Sequence, residues 1–217
     1  MQKVIDLGCV PVLLAAMQQR QLPQIQLEAT WTLTNIACGR TSQCQSIIDK
    51  NGLEVFGQVI AQNSQHISEQ AMWGLGNIAA DCPKIRDTVL QKGCLEVVLK
   101  AISETKSVAM LQQGVWAVSV MCRGTPKPAY KLIKSAIPVL ASLVKSGVLE
   151  EEEVASSLWA IGHHTEAQKT RIQVLVESKG FVADLIARCR KEVSTKVLSP
   201  LLRVVGNISA GNELQTE

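Results

Sequence analysis

Two side chains four residues apart carry the most unusual chemistry in the sequence. Trp73 and Asn77 lie in the segment Ser68–Asp81, which reads SEQAMWGLGNIAAD. On a helix such residues share one face, so the indole and the amide would lie one above the other. Asparagine is unfavourable inside a helix because its amide competes with the backbone for hydrogen bonds. The pair therefore indicates binding, since an amide can hold both the N–H and the C=O of an extended peptide.

The same frame recurs along the chain. Its first position falls at residues 31, 73, 116, 159 and 203, with steps of 42, 43, 43 and 44 residues. The five copies hold these pairs: Trp31 with Asn35, Trp73 with Asn77, Trp116 with Val120, Trp159 with His163, and Arg203 with Asn207. A period of about 40 to 47 residues is typical of armadillo and HEAT repeats, and the strand alternation of a propeller is missing. The sequence predicts an all-α chain, a right-handed armadillo-repeat superhelical solenoid of about five three-helix repeats.

Breaks between helices show which elements must position these pairs. Gly39 is typical of a helix end, Asn51-Gly52 of a turn, and Pro83 of a helix start. The long helices are expected at Gln24–Cys38, Ser68–Ala80, Val108–Cys122, Glu150–His164 and Leu198–Ala210. We expect a single armadillo-repeat domain over residues 1–217, with approximate repeats at 1–40, 41–81, 82–124, 125–165 and 166–217.

Both ends of the sequence look cut. Met1 falls in a first or second helix with no preceding long helix on which to pack, and Glu217 closely follows the last long helix. The first helix of the fifth repeat is expected from Ala167. Terminal repeats of a solenoid ordinarily need polar caps. We therefore expect the chain to be truncated at both ends.

Composition limits the classes of function. The chain is 47% hydrophobic and 3% aromatic, so it can bury a long aliphatic core, and four of its seven aromatic residues are the repeat tryptophans. A net charge of +3 is too mild for a nucleic-acid-binding protein. The seven cysteines lack the spacing of a metal site, and their odd number indicates reduced thiols rather than disulfides. With no signal-peptide pattern and no apolar run of about 20 residues, we expect no membrane partner and a place in cytoplasm and nucleus.

Catalytic chemistry is not predicted. His163-His164 and Cys122 could serve in acid–base or nucleophilic steps, but no third ligand or orienting acid stands at a telling spacing. The glycines end or separate helices and form no phosphate-binding loop. We expect no enzyme, no catalytic residue, no metal and no cofactor.

Side chains beside the pairs predict the charge of the ligand. Stacked repeats would place the tryptophans in a row at about 10 Å spacing, with slots that fit the stems of Lys or Arg. Cation–π attraction there contributes about 0.5 to 2 kcal/mol. Asp81 follows Asn77 by four residues and offers a carboxylate, and the helix end near Gly39 offers unpaired carbonyl oxygens. The expected ligand is a basic peptide.

Four segments resemble the armadillo domain of importin-α: EATWTLTNIACG, HISEQAMWGLGNIAADCPKIRD, CRGTPKP and LLRVVGNISAGNELQTE. The resemblance implies an adaptor that binds extended Lys/Arg-rich nuclear localisation signals. It implies a peptide-binding site formed by Trp31, Asn35, Gly39, Trp73, Asn77, Asp81 and Trp116, with Gln70 at a further groove position. Asp81 would receive the best-fixed lysine of the signal. Trp159 joins the expected set through the repeat frame.

The chain also departs from the importin-α pattern. Val120 and His163 stand where the family has Asn and Tyr, Ser156 where the fourth long helix usually offers an acid, and Cys44 where a Thr hydroxyl assists the lysine. The family's second site needs later repeats that are missing from this sequence. Its basic importin-β-binding segment is missing too. Importin-β is therefore expected as a partner only if the full-length protein has an additional N-terminal segment.

Other interpretations remain open at this point. Each tryptophan alone could be core, Asp81 alone could be a solvated helix-end acid, and residues 150–153 are expected to be a solvated helix start. A catenin-type scaffold with a basic groove for acidic partners is supported by Arg40, Arg123 and Arg203. A degenerate importin-α-like protein with weakened signal binding is supported by Val120.

Overall fold

The structure is a computed structural model, and it describes residues 2–62, 64–166, 169–178, 180–191 and 194–212. Within these ranges every regular element is a helix. Ala167, the expected start of the fifth repeat, and the C-terminal Glu217 lie outside the described residues. The described chain divides into two compact units, Met1–Pro128 and Ala129–Glu217.

The first unit contains three sets of helices, each with two shorter helices followed by a long one. They are α1 Gln2–Asp6, α2 Cys9–Met17 and α3 Pro23–Ala37; α4 Thr41–Ile48, α5 Gly52–Ile60 and α6 Gln65–Ala80; and α7 Pro83–Gln91, α8 Cys94–Glu104 and α9 Val108–Cys122. Pro23 and Pro83 occupy first-turn positions, where the missing N–H is not needed. Asn51, at φ +59°, makes the left-handed turn before α5 that the sequence predicts.

The long helices of the first unit pack side by side, α3 against α6 and α6 against α9. Their buried faces carry Leu33, Leu75 and Val115, which are all fully inaccessible to solvent. Burying one such side chain contributes about 1.5–3 kcal/mol relative to leaving it exposed. Phe56 of α5 fills the space below Gly74 of α6, where an added Cβ would lie 2.4 Å from the ring. The core thus fixes which faces of α3, α6 and α9 remain open.

The second unit contains two further sets of three helices. They are α10 Tyr130–Ile133, α11 Ala136–Ser146 and α12 Glu151–Thr165; and α13 Lys169–Glu177, α14 Phe181–Lys191 and α15 Thr195–Ser209. Its long helices α12 and α15 pack together, and both carry fully buried side chains: Leu158, Ile161, Leu201 and Val204. The prediction of about five three-helix repeats is confirmed.

The acidic start of α12 is only partly solvated. Glu151 and Glu152 are exposed and bond to Ser194 and Lys196 of the last repeat, whereas Glu153 is buried. The expectation of a solvated helix start is therefore wrong for Glu153, because the fourth residue of the run turns toward the core of the unit.

Among the described residues, no helix is both long and apolar enough to cross a membrane. In the same part of the chain, no group of three or more His, Cys, Asp or Glu side chains is placed to hold a metal ion.

Candidate peptide-binding groove

The open faces of α3, α6 and α9 present three of the repeat tryptophans. Trp31 is 51% exposed and Trp73 39% exposed, while Trp116 is half-buried. Large apolar side chains this accessible on a long helix leave indole faces that a ligand can cover. We call the surface formed by the open faces of these three helices the first-unit groove.

Trp116 owes its position to a glycine on the neighbouring helix. A Cβ added to Gly76 would lie 2.2 Å from Cζ3 of the Trp116 ring. The indole therefore packs directly on the α6 backbone, one residue before Asn77. Gly76 is the residue that lets the third tryptophan enter the groove at this depth.

The asparagine positions of the groove are not equivalent. Asn77 donates from Nδ2 to Sγ of Cys38 at 3.0 Å, across two neighbouring repeats. Sulfur is a weak acceptor, and the carbonyl oxygen and second N–H of this amide make no hydrogen bond within the described chain. Asn35 is half-buried, and Val120 at the third position is buried and offers no polar group. Two of the three equivalent positions in this unit therefore carry an amide, and the third carries none.

Asp81 lies at the C-terminal cap of α6, one turn beyond Asn77. Its Oδ1 accepts a hydrogen bond from the Thr41 hydroxyl at 3.2 Å. Its Oδ2 is buried and accepts no hydrogen bond from any described residue. A buried carboxylate oxygen without a partner is costly unless a cation or donor reaches it. The geometry leaves one acceptor position open at the end of the helix.

A cavity of about 260 Å³ adjoins this carboxylate. It is lined by Ala79, Ala80, Asp81, Cys82, Pro83, Arg86, Val120, Arg123, Gly124 and Thr125. All of these belong to α6, α7, α9 and the segments that follow the two long helices. The cavity is large enough for the end of a long side chain, and it carries one acid and two guanidinium groups.

Cys44 does not take the place of the Thr hydroxyl expected from the importin-α pattern. Its buried thiol donates to the carbonyl oxygen of Ala37 at 3.3 Å. Burial, and secondly the negative charge of Asp81, raise the pKa of the Cys44 thiol to about 11. The thiol is thus protonated at neutral pH, and the hydroxyl beside the carboxylate belongs to Thr41. Sequence analysis missed Thr41, whose signal was a hydroxyl at the start of the following helix.

Gln70 and Gly39 are the remaining predicted positions of the first unit. Gln70 is half-buried, and the Nε2 atom of its side chain is buried without a hydrogen-bond partner in the described chain. Its backbone carbonyl accepts a hydrogen bond from the Thr34 hydroxyl at 3.2 Å. Gly39 is exposed just after α3, and its N–H donates to Ile36. Gln70 lies on α6, and Gly39 lies immediately beyond the end of α3.

Trp159 belongs to the second unit, so its place in one row with Trp116 stays a prediction. It is 38% exposed, and its ring stacks on that of His163 at a centroid distance of 5.6 Å. Asn207, expected to face a peptide backbone, instead donates from Nδ2 to the Gly162 carbonyl at 2.8 Å and to the Thr165 hydroxyl at 3.1 Å. Its donors join α15 to α12.

Comparison with known sequences assigns the family. A family model described as the C-terminal domain of protein zer-1 homolog-like proteins matches residues 2–135, more than half of the chain. The chain belongs to this family. The chain is also 35% identical over 216 residues to importin subunit alpha-1b of Oryza sativa subsp. japonica, and 36% identical over 215 residues to importin subunit alpha-3 of Arabidopsis thaliana. The resemblance to importin-α is confirmed.

These relatives are longer proteins. The alignments cover 100% and 99% of this chain but only 40% of each relative. The chain thus spans about two fifths of the length of the curated importin-α subunits that it matches.

Solved structures agree on the fold. An engineered protein superposes with a TM-score of 0.85 at 25% identity, over 99% of this chain and 51% of its own. A designed armadillo repeat protein in complex with the peptide (KR)4 superposes with a TM-score of 0.80 at 23% identity, over 95% of this chain and 84% of its own. The predicted armadillo-repeat fold is confirmed.

Proposed function

We propose that the chain binds a Lys/Arg-rich segment in an extended conformation along the first-unit groove, as an adaptor for nuclear import. The observation that carries the proposal is the open Oδ2 of Asp81, buried at the end of α6 beside a cavity. A lysine ammonium or a guanidinium reaching this oxygen would satisfy it with a charge-assisted hydrogen bond.

The other groove residues have separate roles in this mechanism. Trp31, Trp73 and Trp116 hold the methylene stems of basic residues, and Asn35 and Asn77 bind the peptide backbone. The Thr41 hydroxyl occupies Oδ1 of Asp81, so the carboxylate presents its other oxygen to the cation. Backbone binding gives a fixed register, and the single carboxylate gives the preference for positive charge.

Similarity to known proteins supports this proposal. Relatives named importin subunit alpha match the whole chain, and a designed protein of the same fold is named as a complex with (KR)4. We infer a place in cytoplasm and nucleus on the same basis. Recruitment of importin-β is proposed only for a full-length protein with a further N-terminal segment.

The experiment is a fluorescence-anisotropy titration of a PKKKRKV-type peptide with the chain and with Asp81→Asn. Saturable binding that weakens more than about tenfold in the variant is expected, because an interaction with a desolvated charge is lost. Glu104→Gln is the matched control, since Glu104 is an exposed acid at the end of α8 and should bind as the unchanged chain does. Equal binding by Asp81→Asn would contradict the proposal.

A second candidate is a scaffold for acidic partners. It is favoured by Arg123, which is exposed at the end of α9 and forms no ion pair within the described residues. An acidic peptide of the same length distinguishes the two functions in the same titration. Tighter binding of the acidic peptide, unaffected by Asp81→Asn, would favour the scaffold.

A further inference from the structure

The cavity at the ends of α6 and α9 has walls of opposite charge. Asp81 supplies a carboxylate from the end of α6, and Arg123 supplies a guanidinium from the end of α9. In the described chain neither side chain forms an ion pair with any group, and the two are not paired with each other. Both charges are thus available to one ligand.

The backbone of Arg123 is held by a hydrogen bond from a buried arginine on α7. Its carbonyl accepts a hydrogen bond of 2.9 Å from Nη1 of Arg86, which is only 2% exposed. Arg86 is itself fixed by two bonds to Oδ1 of Asp87, at 2.9 Å and 2.7 Å. Gly124 turns the chain at φ +114°, where a Cβ would lie 2.7 Å from Nη1 of Arg86. The Arg123 side chain therefore leaves a backbone that is anchored by a hydrogen bond, and it is exposed at the mouth of the cavity.

A third charge lies on the other side of Asp81. Arg40 is exposed and immediately precedes Thr41, whose hydroxyl contacts the carboxylate. No ion pair joins Arg40 to Asp81 within the part of the chain that the structure describes. The ends of α3, α6 and α9 thus follow each other as positive, negative and positive.

The alternating charges predict which sequence an extended peptide should have. Residues i and i+2 of a strand point to the same side, about 6.6 Å apart. When one residue reaches Asp81, the residue two positions along in the direction of α9 is the next on that side of the strand toward the exposed side chain of Arg123. A lysine there would meet a like charge, whereas an aspartate or glutamate can accept two parallel hydrogen bonds from the guanidinium.

We propose that the first-unit groove selects a segment with one basic residue and one acidic residue two positions away, in preference to an uninterrupted basic run. The inference rests on the proposed function and names its ligand class. Asp81 binds the basic residue, and Arg123 is the specificity-determining residue for its acidic neighbour.

The experiment compares four labelled peptides on one scaffold. Lys-x-Glu, Lys-x-Gln and Lys-x-Lys differ at a single position, and Glu-x-Lys reverses the order of the two charges. At low salt the better Glu-containing order should bind about tenfold more tightly than Lys-x-Lys. The variant Arg123→Glu should reverse this order, while Lys100→Glu, an exposed charge change on α8, should leave it unchanged. Arg123→Gln removes the charge without reversing it, so it should abolish the preference for the Glu-containing peptides over Lys-x-Lys. This variant replaces Arg123→Glu as the test if Arg123→Glu does not fold.

The outcomes separate the two proposals. Lys-x-Lys binding at least as tightly as both Glu-containing peptides, with an unchanged order in the Arg123 variants, would overturn this inference and leave the basic-segment function intact. Failure of every Lys-containing peptide to bind, or binding insensitive to Asp81→Asn, would overturn the proposed function itself. An order that reverses with the charge at residue 123 supports both.

Discussion

The hydroxyl of Thr41 donates a hydrogen bond of 3.2 Å to Oδ1 of Asp81, joining residues 40 apart in the sequence. This contact links the first turn of α4 to the end of α6. It leaves Oδ2 of the same carboxylate buried and without a partner among the described residues. The first helix of the second repeat therefore orients the carboxylate that follows the long helix of the same repeat.

Removing the hydroxyl should weaken ligand binding. In Thr41→Val we expect a basic peptide to bind about threefold to tenfold more weakly, because a hydrogen bond of this kind contributes about 0.5–1.5 kcal/mol. Anisotropy titration measures the change. Thr88→Val is the control, since the Thr88 hydroxyl bonds only to the carbonyl of Lys84 on α7. Binding equal to that of the unchanged chain would show that Asp81 needs no orientation by Thr41.

Gly76 should tolerate no side chain. The Cβ of Gly76→Ala would meet the Trp116 ring, so we expect a loss of about 1–3 kcal/mol in unfolding free energy and weaker peptide binding. Urea denaturation followed by tryptophan fluorescence measures both the stability and the displacement of the indole.

A matched glycine lies on α5. At Gly57→Ala the nearest atom to the new Cβ is 3.9 Å away, an ordinary contact, so alanine should stabilise the helix by about 0.5–1 kcal/mol. If the two variants changed stability alike, the close packing of Trp116 on Gly76 would be refuted.

Alkaline pH should destabilise the chain. Burial raises the pKa of Cys94 and of Cys122 from an ordinary value of 9.0 to about 12. The unfolded chain then loses these protons first. The contribution of the buried thiols to the free energy of unfolding should be fully present below pH 9. It should decrease toward pH 12, by about 1.4 kcal/mol per pH unit for each thiol.

Urea denaturation between pH 8 and pH 11 measures this slope. Cys122→Ala removes one of the two thiols and should flatten the profile, even though it lowers stability at every pH. A wild-type profile that is flat above pH 9 would contradict the burial of these thiols.

Cys38 should report on the occupied groove. It is an exposed thiol whose sulfur accepts from Asn77, whereas Cys44, Cys94 and Cys122 are buried. Iodoacetamide should modify Cys38 well before these three, and a bound basic peptide should slow that modification. Peptide mass spectrometry measures the rates, and an acidic peptide of equal length is the control. Modification at the same rate with and without the basic peptide would place the ligand elsewhere.

The repeat period was sufficient to predict the helices and most of their ends. The third long helix was expected at Val108–Cys122 and is found there, because Ser107 and Arg123 flank a continuous helical pattern. The second was expected from Ser68 but begins at Gln65, because the repeat frame marks only the part of the helix that is copied. Periodicity therefore defines the repeats better than it defines each first turn.

Contacts between helices distant in the sequence were not predictable in the same way. The bonds from Thr41 to Asp81, from Asn77 to Cys38 and from Arg86 to the backbone carbonyl of the residue after α9 join residues 37 to 40 positions apart. Each depends on how far one helix is shifted along its neighbour, which a single sequence does not encode in a readable pattern. The peptide-binding role of the predicted site residues stays a prediction.

The two asparagines that bridge neighbouring repeats differ in how readily they can change partners. Asn77 holds a sulfur, so an arriving peptide carbonyl can replace that acceptor at little enthalpic cost. Asn207 holds two oxygens, a carbonyl and a hydroxyl, and releasing them would leave the end of α12 unsatisfied. The same residue type is thus an exchangeable contact in one unit and a permanent brace in the other.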